Sequence, residues 1–409
     1  KRPQFFPRTV GLFGVLLLLM AAFVFGKVQG GFVPWFLFYA FLTIALYEVI
    51  VFICVLRGVE VERELSHVRL NAGAMLEVRV KLRRPPYFPV PWMWVEDHVP
   101  VTLNAPSQAG AKLLFPWFKR EMTYSYECDQ LQRGRHKWQR ITIQSGDIFG
   151  FIQREKYVDV IDEVLVYPKV REIPKWHTLN ERNPGASYAL NRVSEDRTSV
   201  IGVRDYMHGD RLSQIHWKAT AKGMGLKTKE FELQTSNDFM FFLDRRTLHY
   251  GMERHPLFER AVSLTASLSR YALNRRFTAG LVSYGKDRYV LPPARHPDTL
   301  ITIYEHLAEV RADSPFPFHK TLLREAVYVP NGTTVVCVTP QVDADVAGAV
   351  SQLHERRIKV EVFWLSPTQD DSRIELSCLR SLEQLGIPVR RVYDDRFEAI
   401  VRGGGVTSA

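Results

Sequence analysis

Residues 202–232 crowd together side chains able to do acid–base or anion chemistry: Arg204, Tyr206, Asp210, Arg211, His216, Trp217 and Lys218. An apolar segment does not explain such a density of charged and aromatic groups. Three arrangements would use them. In an enzyme, His216 is a general base, Asp210 orients it, and Lys218 or Arg204 holds an anion. No nucleophile, metal triad or phosphate loop accompanies them, however. In a structural lock, Arg204 and Lys218 pair with Asp210 and with Glu230 or Glu232, while Trp217 and Tyr206 pack between domains. In a docking surface, exposed Arg, Tyr and Trp serve as hot spots for a partner. The lock and the docking surface are compatible with one another.

The elements that must position these groups are short. Residues 199–206 read as a strand, and His208, Gly209 and Asp210 as a turn. Asp210 then caps a helix beginning near Arg211. On that helix Leu212, Ile215 and Ala219 share one apolar face. Gly223 and Gly225 end it, and residues 226–234 alternate as a strand entering the next domain. The string Arg204-x-Tyr206-x-x-Gly209-Asp210-x-x-x-x-Ile215-x-Trp217-Lys218-x-x-Ala221 closely resembles the signature of the DUF58 family of bacterial membrane proteins. Members of that family are typically encoded beside MoxR-type AAA+ ATPases, and often beside a membrane transglutaminase-like protein. The resemblance therefore implies a non-enzymatic scaffold or adaptor that recruits such an ATPase to a membrane client. A hydrolase or transferase built on Asp210, His216 and Lys218 is the alternative.

The N-terminal part is apolar over residues 10–26 and, except for Glu48, over residues 32–56. A bilayer crossing needs about 20 residues, with about 17 as the lower limit, so the pair reads as a transmembrane hairpin within residues 1–58. A signal peptide is the alternative for the first segment, but no small-x-small cleavage site is evident and a second span follows at once. Lys1, Arg2 and Arg8 precede the first span, Arg57, Arg63 and Arg69 follow the second, and Lys27 alone sits in the turn. The positive-inside rule then places both ends and the soluble part in the cytoplasm. Glu48 either reaches the interface, faces the other helix, or has a function in the membrane.

The net charge of +10 suits an anionic partner, and the lipid bilayer itself accounts for it. No nucleic-acid motif is present. Cys54, Cys128, Cys337 and Cys378 are scattered without a CxxC, which indicates neither a disulfide framework nor a zinc site.

Residues 59–168 alternate apolar and polar side chains in short runs, such as 75–82, 93–99, 122–128 and 139–144. Turn signals at 71–73, 85–86, 104–106 and 132–134 separate them. Such spacing predicts an antiparallel sandwich of immunoglobulin-like type. Residues 133–135 and 145–150 are similar to a second landmark of the DUF58 family; Gly134 and Gly150 serve turns there, and Phe149 fills the core. Residues 169–235 read as a linker plus the signature stretch, with 169–199 a polar, partly mobile loop.

Residues 236–400 alternate β and α segments, predicting a doubly wound parallel sheet. In order and content this resembles a von Willebrand factor A-type (vWA-like) domain. Such domains often hold Mg²⁺ through Asp-x-Ser-x-Ser with a Thr and an Asp, because a small octahedral cation needs several hard oxygens. Here the corresponding residues are Asp244, Arg246 and Leu248, and Thr339-Pro340 stands where a Thr-Asp is expected. Thr247 or Thr321 could substitute, but a guanidinium beside the site repels a cation. No bound metal or other cofactor is predicted, and Arg245 or Arg246 is expected to take the ion's place beside Asp244. Residues 401–409 form a Gly-rich tail.

Overall fold

A computed structural model describes residues 10–103, 109–176, 200–207, 210, 212–223, 225–231, 238–251, 255–330, 332–366, 373–394 and 397. Gly209, Glu232, most of the 169–199 loop and the 401–409 tail lie outside these residues. The chain divides into two compact units, residues 1–169 and 170–409.

The first unit begins with helices α1 (Val10–Gln29) and α2 (Phe32–Cys54). Gly30 and Gly31 make the reversal between them, at φ +64° and +87°, where a side chain would be strained. Phe23 of α1 packs on Trp35 and Phe38 of α2. α2 is long and apolar enough to cross a membrane, while α1 contributes a shorter apolar stretch, Phe13–Gln29. The last turns of α2 and the residues after it dock on the following β region, where Val51, Val55 and Leu56 join its core. Glu48 neither reaches an aqueous interface nor stays within the helix pair. It is fully buried beside Asp147 of a β-region loop.

That β region comprises β1 (Glu60–Leu65), β2 (Arg69–Asn71), β3 (Leu76–Arg83), β4 (Met93–Asp97), β5 (Ala111–Leu114), β6 (Glu121–Cys128), β7 (Gly134–Gly146) and β8 (Gln153–Tyr167). One sheet has the order β1-β3-β6 and the other β2-β8-β7-β4-β5. Period-2 alternation works as it should: in β3, Leu76, Val78, Val80 and Leu82 all point inward. They share a core with Val95, Ile141, Ile143, Val164 and Val166 of the second sheet, so the two sheets form a sandwich. A buried clamp ties them together. Arg63 of β1 donates to both carboxylate oxygens of Asp97 on β4, at 2.7 and 2.9 Å, and to Asp162 on β8 at 2.8 Å. Tyr126 on β6 completes the set by donating to Asp97 at 2.7 Å. Phe149 is not a core residue; it is exposed at the tip of the β7–β8 loop.

The second unit contains an antiparallel hairpin, β9 (Val200–Asp205) with β10 (Lys227–Phe231), and a single helical turn, α3 (Trp217–Thr220), between them. It also contains a six-stranded sheet: β11 (Asp238–Leu243), β12 (Thr278–Tyr284), β13 (Arg288–Ala294), β14 (Thr334–Thr339), β15 (Lys359–Leu365) and β16 (Val389–Val392). The order is β13-β12-β11-β14-β15-β16, parallel except for edge strand β13. Helices α4 (Thr247–Tyr250), α5 (Pro256–Asn274), α6 (Pro297–Glu309), α7 (Phe318–Glu325), α8 (Ala344–Glu355) and α9 (Arg373–Gln384) connect the strands. Residues of α5 and α6 share one core with Phe239, Phe241 and Phe363; those of α7, α8 and α9 share another with Phe242, Cys337 and Trp364. Both sheet faces are thus covered, which is why these strands read as unbroken apolar runs. The first residues of the supposed mobile loop belong to this body. Trp176 is fully buried against Phe239, Tyr271 and Phe363, and its indole N–H donates to the buried Glu361 at 3.0 Å.

Candidate functional site

In the hairpin, the backbone decides where each signature side chain goes. Ile215 is buried and forms an isolated antiparallel bridge with Thr228, and the His216 N–H donates to the Lys227 carbonyl at 2.8 Å. This pairing with β10 breaks the expected helix into a 3₁₀ turn (Leu212–Gln214) and α3. The supposed apolar face is therefore split, with Ile215 inside and Leu212 exposed.

The cap also differs from expectation. His216, not Asp210, caps α3: its Nδ1 accepts from the Ala219 N–H at 3.1 Å. That assigns the ring proton to Nε2. Asp210 instead closes the preceding turn. Arg204 donates to both of its oxygens at 2.7 and 2.8 Å, and the Met207 N–H and Thr228 hydroxyl also donate to it. The Arg204 guanidinium, helped by the Met207 N–H, holds the Asp210 carboxyl down to about 2. Asp210 and His216 thus have separate duties and do not form an acid–base pair.

Of the residues named for a lock, Arg204 and Asp210 do pair, and Trp217 is 67 % exposed. Tyr206 is half-buried, and its N–H donates to the Leu226 carbonyl. Lys218 is exposed; the side chain of Glu230, and all of Glu232, lie outside the described residues. Exposed Met207, Leu212 and Leu226 belong to the same hairpin as Trp217.

The second candidate lies at the carboxyl ends of the central strands. The strand order reverses direction between β11 and β14, the switch point at which doubly wound sheets bind ligands. Asp244 follows β11, and Thr339 ends β14. The Asp244 carboxylate is fully engaged: Oδ1 accepts from the Arg246 N–H at 2.9 Å, and Oδ2 accepts from the Thr339 hydroxyl at 2.8 Å and from His249 Nδ1 at 3.0 Å. Because a carboxylate only accepts and a guanidinium only donates, His249 carries its proton on Nδ1, and its Nε2 faces Arg246 Nη1 at 3.3 Å. Arg246 therefore meets Asp244 through its backbone, and its guanidinium goes to His249. Arg245 turns to Asp313 at 2.6 Å and to Ser283 at 3.1 Å. Leu248 is exposed, and Thr321, buried in α7, makes no hydrogen bond to Asp244 among the described residues. These residues do not fit a Mg²⁺ site: the one carboxylate is satisfied by donors and both serine positions are lost. Among the described residues no group of three or more His, Cys, Asp or Glu is placed to hold a metal.

Both sites fall within one stretch of recognisable sequence. The model of a family described as "Protein of unknown function DUF58" matches residues 202–362, from the hairpin to β15. "Uncharacterized protein YeaD" of Bacillus subtilis (strain 168) is 35 % identical over 310 residues, covering 74 % of this chain and 75 % of that one. The chain belongs to the DUF58 family. Solved structures add little to this. The PilB minor pilin from Streptococcus sanguinis aligns over 77 % of this chain and 86 % of its own at 10 % identity and a TM-score of 0.29. A beta-glucosidase from Listeria innocua in complex with gluconolactone matches at 17 % identity and a TM-score of 0.17, over 26 % of this chain and 16 % of that chain. Similarity this low carries no argument about fold or activity.

Three residues of this DUF58 chain escaped the sequence reading. His249 lies five positions after Asp244, and a metal-motif comparison passes over it because His is not among the expected ligands. Asp313 and Ser283 come from other connections and only the fold brings them to Arg245. A signal existed for His249 alone, since an i, i+5 Asp–His pair across a short helix is within local reach.

Proposed function

We propose that this DUF58 protein is a membrane-anchored, non-enzymatic adaptor whose signature hairpin is the docking surface for a protein partner. In this reading α1 and α2 form a two-span anchor with the soluble part in the cytoplasm. The sandwich, of immunoglobulin-like type, acts as a spacer, and the vWA-like sheet carries the hairpin. The partner implied by the family resemblance is a MoxR-type AAA+ ATPase, with a transglutaminase-like membrane protein as a further component. One observation carries the reading: Trp217 is exposed on α3, which His216 caps and which follows a turn that the Arg204–Asp210 pair closes. An exposed indole on a locally braced segment is what an interface hot spot needs, because less ordering entropy remains to be lost on binding.

The test is a pull-down of the detergent-solubilised protein from its own membranes, with Mg²⁺ or EDTA, beside Trp217→Ala and an Arg246→Ser/Leu248→Ser double variant. Recovery of an AAA+ ATPase that ignores EDTA and is lost with Trp217→Ala supports a metal-free adaptor. Loss of the partner in EDTA means that an ion is required at the interface. Absence of any ATPase removes the adaptor reading and reopens an enzyme, in which His216 would act without Asp210 as its partner. His216→Asn separates those two, since Asn still caps a helix but cannot act as a base.

A further inference from the structure

The last third of α2 has two faces. Val51 lies in the sandwich core, while Val49, Ile50, Phe52 and Ile53 remain exposed. If α2 spans the bilayer, its apolar outer face carries lipid down to Ile53. The sandwich loops that touch these same turns then lie at the same depth.

Two loops do so. In the β7–β8 loop, Asp147 accepts from the N–H groups of Phe149, Phe151 and Ile152 at 2.7, 3.1 and 2.7 Å. This rigid turn projects Ile148, Phe149 and Phe151 outward, with Phe149 61 % exposed. The Phe149 ring meets Tyr47 of α2 edge-on at 6.2 Å, and a Cβ on Gly11 of α1 would overlap the Phe151 carbonyl. In the β3–β4 loop, Phe88 packs on Tyr47 at 6.5 Å, and Val90 pairs with Trp117 of a third loop, between β5 and β6. Here Tyr87 is 87 % exposed, and Trp117 and Phe118 are exposed too. Exposed Trp, Tyr and Phe clustered next to an apolar helix form the pattern of a membrane–water boundary.

The charges at this end suit the same surroundings. Arg84 is buried, and its guanidinium donates only to the carbonyls of Trp117 and Phe88, with no carboxylate partner among the described residues. It lines a shallow cavity of about 420 Å³ with Arg83, Arg120, Glu60, Glu121 and Gly58, where the chain leaves α2. Arg83 lies 3.3 Å from Glu62 and 3.5 Å from Glu121, and the lining sets three guanidiniums against the carboxylates of Glu60 and Glu121, an excess of one positive charge.

We propose that these three loops insert into the headgroup–acyl boundary of the bilayer and that the Arg84 cavity holds the phosphate of an anionic lipid. The sandwich is then partly embedded in the interface rather than suspended below it. This rests on the reading of α2 as a membrane span.

The full chain, reconstituted in nanodiscs of equal phosphatidylglycerol and phosphatidylcholine, tests it by photocrosslinking. p-Benzoylphenylalanine is placed in turn at Phe36, Phe118, Phe149 and Ile161. Lipid adducts, read by mass spectrometry, are expected at 36, 118 and 149 and not at 161, an exposed position on β8. Adducts at 36 but not at 118 or 149 would overturn the inference and leave the anchor standing; none at 36 would remove the anchor itself. The label at 118 should mark phosphatidylglycerol about fivefold over phosphatidylcholine. Arg120→Gln should lower that ratio without affecting the fold, and Arg84→Gln should lower it further. An equal ratio in the wild-type protein would overturn the phosphate assignment.

Discussion

Two bidentate Arg–Asp pairs do different work in this molecule. Arg63 and Asp97 sit between the sandwich sheets with both side chains 0 % exposed; Arg204 and Asp210 sit on the hairpin with side chains 39 % and 16 % exposed. The geometry is nearly the same, but the dielectric surroundings are not. A buried pair repays its desolvation only while both partners remain, so losing one strands a charge in the core. An exposed pair is screened by water and adds little stability. What the hairpin pair contributes is shape, by fixing the turn that precedes Trp217. A surface held in shape in this way is what the proposed docking role requires.

The largest expected effect breaks the buried member. Asp97→Ala should destabilise the sandwich by about 3–5 kcal/mol in a urea titration, because Arg63 is left unpaired. A loss no larger than that of a surface substitution would mean that the two pairs do the same work. Trp176→Ala should cost a similar ~3–5 kcal/mol, this time in the second unit, since it leaves a cavity and removes the indole N–H that donates to the buried Glu361 carboxylate.

A third, smaller effect depends on pH. Burial pushes His306, stacked at 3.6 Å on Tyr289, down from 6.5 to about 4. The unfolded chain therefore binds this proton first, and stability falls as pH drops from about 6.5 towards 4. His306→Phe should flatten the melting temperature over that window. Unchanged pH dependence in the variant would assign the slope to other groups.

The smallest stability effects sharpen the comparison most. Trp217→Ala should change stability by no more than about 0.5 kcal/mol. Its capture of a partner should nevertheless fall roughly 30-fold, as for a hot spot worth about 2 kcal/mol. Asp210→Asn should leave the melt nearly unchanged at neutral pH yet weaken capture. Stability that Asp210 does lend is present above about 4 and is lost as pH falls through about 2.

The α/β half was legible because its central strands are buried on both faces and read as apolar runs, as in residues 238–243 and 334–339. Edge strand β13 was not: it carries Pro292 and Pro293, which only an edge tolerates, and its pattern resembles a loop. The signature residues were identifiable, but their roles were not. Whether Asp210 or His216 caps a helix depends on the Ile215–Thr228 bridge, and a local rule cannot see a strand 13 residues downstream. Trp176 was missed for the same reason on a larger scale, since the carboxylate that holds it lies 185 residues away. Arg63 and Asp97, 34 residues apart, look like two ordinary strand-surface charges until the sheets are stacked.

The cysteines offer a practical benefit. Cys128 lies in the sandwich core and Cys337 in a core of the α/β sheet, both almost completely shielded from solvent. Burial pushes the Cys128 thiol up to about 11 and that of Cys337 higher still, so neither supplies a reactive thiolate while its unit is folded. Each half of the molecule thus carries its own silent chemical clock. Alkylation of one peptide or the other, followed over time in denaturant, would report which half opens first without any label being introduced.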